Sequence, residues 1–147
     1  MEDFVDFDLA VKLKEKGFRE ECLAYYTTEY TLYNNMTTLT DDKYLYVSAI
    51  DYEEFLVSHN SIKYTNGNYV DAPTISQVLN WLRKEKNMHI ELFLYNGKYS
   101  YDVESVTQIC EDDLFHECLN EDTINEEYAT YELAAIAGIK YVLYNLI

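Results

Sequence analysis

A chain of 147 residues with 48% hydrophobic residues is long enough to bury one ordinary core and too apolar to be disordered. Twenty-seven acids against eleven bases give a formal charge of −16, which repels nucleic acid and anionic membrane surfaces alike. No apolar run reaches the roughly 18–20 residues that span a bilayer, and the acidic opening "MEDFVDFDLA" lacks the basic and apolar regions of a secretory signal, so a cytoplasmic location is expected.

In chain order, "FDLAVKLKEKGF" predicts a short helix. Leu9, Ala10 and Leu13 follow Phe7 at helical spacing, and Gly17 is its stop with Phe18 folding back as the apolar partner of the cap. "CLAYYTTEYTLYNNM" is rich in Tyr and Thr and suits a strand, as does "KYLYVSAI". "DYEEFLVSH" fits one or two helical turns capped by Asp51, and Asn66-Gly67 in "SIKYTNGNYV" signals a hairpin.

Pro73 then ends the preceding segment, and Thr74 with Gln77 forms a capping box for a helix over about 74–86. Its apolar face is Ile75, Val78, Leu79 and Leu82, and Arg83, Lys84 and Lys86 complement the dipole in the last turn. "MHIELFLY" predicts a strand with Ile90, Leu92 and Leu94 on one side and His89, Glu91 and Phe93 on the other. Asn96-Gly97 is a type I′ turn, and "KYSYDVESV" returns as the partner strand. Residues 107–128 fit a strand remnant, a short helix or an acidic loop. "YATYELAAIAGIKYVLYNLI" predicts a helix over about 129–146, apolar on nearly every side, with Leu133, Ile136, Ala137, Ile139, Val142, Leu143 and Leu146 set to lie across a sheet. Gly138 permits a close approach there. The expected fold is α+β: one domain over residues 1–147, a small antiparallel sheet packed by an N-terminal, a central and a C-terminal helix.

These blocks carry a resemblance. "LAVKLKEKGF", "APTISQVLNWLRKEKNMHIELF" and the closing helix resemble a family of small, uncharacterised acidic proteins of Bacteroidetes phages, prophages and mobile elements. About half of the chain takes part, the middle block most specifically. The resemblance implies an origin in a phage or integrated element and supports an α+β fold. It brings no activity or catalytic residue with it.

Chemistry is sparse. His59, His89 and His116 are the only imidazoles, Cys22, Cys110 and Cys118 the only thiols, and no nucleophile-elbow or phosphate-loop motif surrounds any of them. Three cysteines cannot all pair within one chain, which favours a reducing compartment. Cys110, His116 and Cys118 contain zinc-type ligands, but the spacing matches no standard site, and ordinary packing cysteines are the plainer reading. No catalytic residue, metal or cofactor is assigned.

Charge is the stronger pointer. No Lys or Arg lies between Lys98 and Lys140, while Glu111, Asp112, Asp113, Glu117, Glu121, Asp122, Glu126 and Glu127 all fall there. Such a field steers a basic partner, although a merely solubilising face has the same pattern. Trp81 joins this partner-binding set as an anchor residue, against the plainer role of sealing its helix to the sheet. The reading that follows is a non-enzymatic interaction protein whose acids stand in for phosphates against a basic host protein, with no direct binding to nucleic acid or membrane. The alternative is a binder of a signalling nucleotide in a pocket lined by the tyrosines of "YYTTEYTLY" and "KYLY". A homo-oligomer is compatible with either.

Overall fold

The computed structural model describes residues 3–27, 36–39, 43–47, 69–110, 113–123 and 126–147; for 27, 36–39, 43–47, 69, 106–110 and 113–117 the description is of the backbone. Asp51, the Asn66-Gly67 hairpin and His59 lie outside these residues. The architecture is α+β, with three α-helices and two small antiparallel sheets among the described residues. The chain divides into two compact units, Met1–Thr74 and Ile75–Ile147.

In the first unit, helix α1 (Phe7–Glu15) is bounded by local chemistry at both ends. The Asp6 carboxylate accepts the Leu9 N–H at 2.8 Å, satisfying one donor of the first turn. At the other end Gly17 takes φ +94°, and the N–H groups of Gly17 and Phe18 donate to Lys14 O and Leu13 O at 3.2 and 2.9 Å. This is a Schellman motif, and Phe18, 4% exposed, is its apolar clasp as the sequence predicts. Leu9, Ala10 and Leu13 form the buried face.

The strands β1 (Ala24–Thr27), β2 (Met36–Leu39), β3 (Lys43–Val47) and β4 (Tyr69–Asp71) form a sheet in the order β2-β3-β1-β4. Central β1 pairs Ala24 with Val47 on one side and Tyr25 with Asp71 on the other, antiparallel throughout. Helix α1 packs by β4, and the Tyr26 hydroxyl donates to Val5 O at 2.6 Å. Burial, with a lesser push from Asp6, raises the Tyr26 phenol to about 12, so it stays a neutral donor.

In the second unit, helix α2 (Ile75–Glu85) starts just after Thr74, in the expected N-cap position. Its buried residues are Ile75, Val78, Trp81 and Leu82, so Trp81 joins the apolar face, while Leu79 is only half-buried. The helix ends where Asn87 adopts φ +54°, a left-handed stop that Asn tolerates better than most residues. Strands β5 (Met88–Tyr95), β6 (Lys98–Cys110) and β7 (Asp113–Cys118) form the second sheet in that order. Asn96 and Gly97 take φ +50° and +77°, the pair of positive values a type I′ turn requires, and Tyr95 sits opposite Lys98.

Helix α3 (Tyr131–Tyr141) continues as a π-helical turn over Val142–Leu146. The Thr130 hydroxyl caps it by accepting the Leu133 N–H at 3.2 Å. The helix packs on β5 and β6 with Ala134, Ala135, Gly138 and Ile139, and Val142 and Leu143 extend the buried stripe. A Cβ built on Gly138 would stand 2.9 Å from Ile90 Cγ2 and 3.2 Å from Tyr101 Cδ2, so the expected close approach is present. One sequence expectation needs correction. Leu133 is 50% exposed rather than against the sheet, because the small residues one and two positions on let the helix settle on that stripe instead. Leu94 shares the side of β5 that the alternation gives it with Ile90, yet it is 61% exposed while Ile90 is buried.

Candidate functional site

The acidic segment that sequence leaves undefined is built around one buried side chain, Asn120, with none of its surface exposed. Strand β7 ends at Cys118, opposite Glu104, while β6 still has backbone groups to satisfy. The Leu119 N–H donates to Val103 O at 2.7 Å. The Asn120 side chain then substitutes for a strand: its Oδ1 accepts the Val103 N–H at 2.6 Å and its Nδ2 donates to Tyr101 O at 3.1 Å. Nδ2 also lies 3.2 Å from Thr123 Oγ1, which in turn donates to Asn120 O at 3.3 Å. Two backbone hydrogen bonds follow, Thr123 N–H to Asn120 O and Glu126 N–H to Thr123 O, both 3.0 Å, and Tyr128 then pairs with Tyr99 through bonds of 2.8 and 2.7 Å.

Tyrosines brace this turn. The Tyr101 hydroxyl donates to Thr123 Oγ1 at 3.2 Å, Ser100 Oγ donates to Glu126 O at 2.7 Å, and the Tyr128 hydroxyl donates to Glu126 Oε2 at 2.6 Å. Tyr141, from α3, points its hydroxyl between Leu119 O at 3.1 Å and Asp122 Oδ1 at 2.9 Å. The ring of Tyr101 lies 6.1 Å from that of Tyr128 and 6.5 Å from that of Tyr141. All three phenols are held above their ordinary value. Burial is the main cause at Tyr101 and Tyr128, and the hydrogen bond to Asp122 is the main cause at Tyr141. They therefore remain neutral donors.

Glu121, Asp122, Glu126 and Glu127 are exposed on this braced turn. Glu127 meets Lys98 at 3.4 Å, an exposed pair of small energetic weight. The other acids of the predicted set are placed differently. Glu111 and Asp112 lie outside the described residues. Asp113 pairs with Cys110 and Glu117 with Ser105 along β7, so Asp113 stands about 17 Å of strand from Cys118, where the turn begins. The six described acids are thus divided between strand β7, which carries Asp113 and Glu117, and the residues after it, which carry the other four. Trp81 is 3% exposed with the Lys86 ammonium 5.3 Å from its ring centroid, so its surface is spent on packing.

The remaining candidates separate on backbone register. Cys118 lies opposite Glu104 and Cys110 six residues further along β6, about 20 Å away, so Cys110, His116 and Cys118 cannot share one metal ion. Among the described residues no group of three His, Cys, Asp or Glu side chains is set to hold one. His89, Glu104 and Cys118 form a row across the three strands. Two strand spacings put His89 and Cys118 about 10 Å apart, too far for a thiol–imidazole pair. Of the tyrosines suggested for a nucleotide pocket, Tyr25 and Tyr26 are core residues, and the others lie outside the described side chains. No helix among the described residues is long and apolar enough to cross a membrane.

Sequence reasoning missed Asn120, Thr123 and the three tyrosines, Tyr101, Tyr128 and Tyr141, that brace this region. A local signal was present: Asn followed three residues later by Thr is a turn-forming pair whose side chains bond nearby backbone. No protein-family model, curated protein or solved structure matches the chain.

Proposed function

We propose that this is a non-enzymatic interaction protein that presents the carboxylates of Glu121, Asp122, Glu126 and Glu127 to a basic protein partner. The observation that carries the reading is the pairing of four exposed carboxylates with a fully buried anchor, Asn120. A stretch that served only solubility would need charge but not a satisfied, buried polar network beneath it. Such a network holds the carboxylates as preorganised acceptors, so less ordering entropy is lost when Arg or Lys side chains engage them. The resemblance to proteins of phages and mobile elements gives the reading its natural version. The partner is a host defence protein whose basic groove takes nucleic acid, and the carboxylates occupy the positions of phosphates.

The test is affinity capture from host lysate, followed by release across a salt series. The expected partner is a basic nucleic-acid-binding protein, retained at 50 mM salt, released by 0.5 M, and lost when Glu121, Asp122, Glu126 and Glu127 are changed together to Gln or Asn. Capture of no basic partner at low salt, or retention by the neutralised variant, refutes the reading.

A further inference from the structure

Among the described residues the largest exposed apolar side chains are Leu94, Tyr95, Tyr131, Leu133 and Tyr144. Single exposed apolar residues are ordinary and need no explanation. Two of these, however, are joined through a third. Leu94 sits directly opposite Tyr99 across the β5–β6 hairpin, and the Tyr99 ring meets that of Tyr131 edge-on at 6.1 Å, with planes at 89°. Leu94, Tyr99 and Tyr131 therefore form a continuous apolar strip from the hairpin tip to the start of α3. Leu94 is 61% and Tyr131 44% exposed.

The rim of that strip is acidic. Tyr128, bonded through its backbone to Tyr99, follows Glu126 and Glu127, and Glu132 adjoins Tyr131. The cation at the tip, Lys98, is engaged by Glu127. An apolar centre inside a charged rim is the usual layout of a binding hot spot, and the sign of the rim selects the partner. We infer that this strip is the anchor point for a partner segment carrying one aliphatic or aromatic residue flanked by Arg and Lys. An acidic or uncharged segment would meet repulsion or gain nothing from the rim, whereas a basic one is attracted by it and then held by burial of its anchor. The inference rests on the proposed basic partner and adds where that partner's apolar contact falls.

The experiment uses the full chain and two synthetic probes: a 15-residue Arg/Lys peptide with a central Leu, and the same peptide with Ser in its place. Binding is followed by fluorescence anisotropy at low salt and by amide chemical shifts. The Leu peptide should bind about tenfold or more tightly than the Ser peptide, the size expected for burying one leucine side chain. Its shift changes should centre on Leu94, Tyr99 and Tyr131. Leu94→Ser, and separately Tyr131→Ser, should abolish the preference while leaving Ser-peptide binding unchanged. Circular dichroism confirms that each variant is folded. Equal binding of the two peptides overturns the anchor and leaves the acidic-surface reading standing. Binding of neither overturns both. Self-association that Leu94→Ser abolishes also overturns it, since the strip's occupant would then be a second copy of the chain.

Discussion

Gly138→Ala weighs two opposing effects that differ in size. In an exposed helix the substitution would add about 1 kcal/mol of stability, because glycine loses more backbone freedom on folding. Here the new methyl would stand 2.9 Å from Ile90 Cγ2 and 3.2 and 3.3 Å from two carbons of the Tyr101 ring. Neither neighbour yields readily. Ile90 Cγ2 is a branch methyl rooted beside the strand backbone. Tyr101 is 2% exposed and tethered through its hydroxyl to Thr123. Overpacking of this kind costs about 1–3 kcal/mol, and rigid neighbours on two sides put it at the upper end. The expected net loss is about 1–2 kcal/mol. Urea unfolding followed by fluorescence of Trp81, the single tryptophan and buried in the same unit, should show the midpoint falling by roughly 0.5–1 M with an unchanged slope. Gly138→Val should lose more. Adding Ile90→Ala should cost less in the Gly138→Ala background than in wild type, because the clashing methyl is then gone. A Gly138→Ala variant as stable as wild type, or more so, would refute the close-packed contact between helix and sheet.

The other predictions concern the acidic turn, the sheet face and the first helix. Asn120→Ala leaves the Val103 N–H and Tyr101 carbonyl without their partners, and should cost about 2–4 kcal/mol in thermal unfolding; it should also abolish amide-exchange protection at Val103, and retained protection would mean that the side chain is not the strand substitute it resembles. Asp102 lies opposite Glu91 with Glu104 two residues on, and burial first, then these two charges, hold its carboxyl above the usual range. A value higher in the folded than in the unfolded state means that stability rises as pH falls through the folded value, with the full cost present above it. Asp102→Asn should therefore raise Tm at pH 7 by about 2–5 °C, from roughly 1 kcal/mol of relieved desolvation and like-charge repulsion, and the gain should fade toward pH 4. A gain that does not vary with pH would count against this cause. Gly17→Ala meets no atom within 4 Å but forces alanine to φ +94°, so a loss of about 1–2 kcal/mol is expected from backbone strain alone. A neutral result in denaturant unfolding would show that the Schellman cap relaxes.

Much of this protein was readable where the cause lies within a few residues of chain. The Gly17 stop, the Asn96-Gly97 turn and the start of α2 after Thr74 all follow from steric and hydrogen-bonding preferences that need no distant partner. The acidity of the segment after Lys98 is likewise a property of composition. What composition could not convey is which acids share a surface. That depends on β7 ending at Cys118 and on Asn120 completing the pairing of β6 from 17 residues away. Tertiary structure also divided the sheet into two, turned Leu133 outward and left Leu94 uncovered, since each outcome depends on which remote element lies opposite. The physical reason is common to all of these: turns and caps are decided by local backbone energy, whereas burial is decided by long-range packing, which a sequence pattern records only as an average over one face.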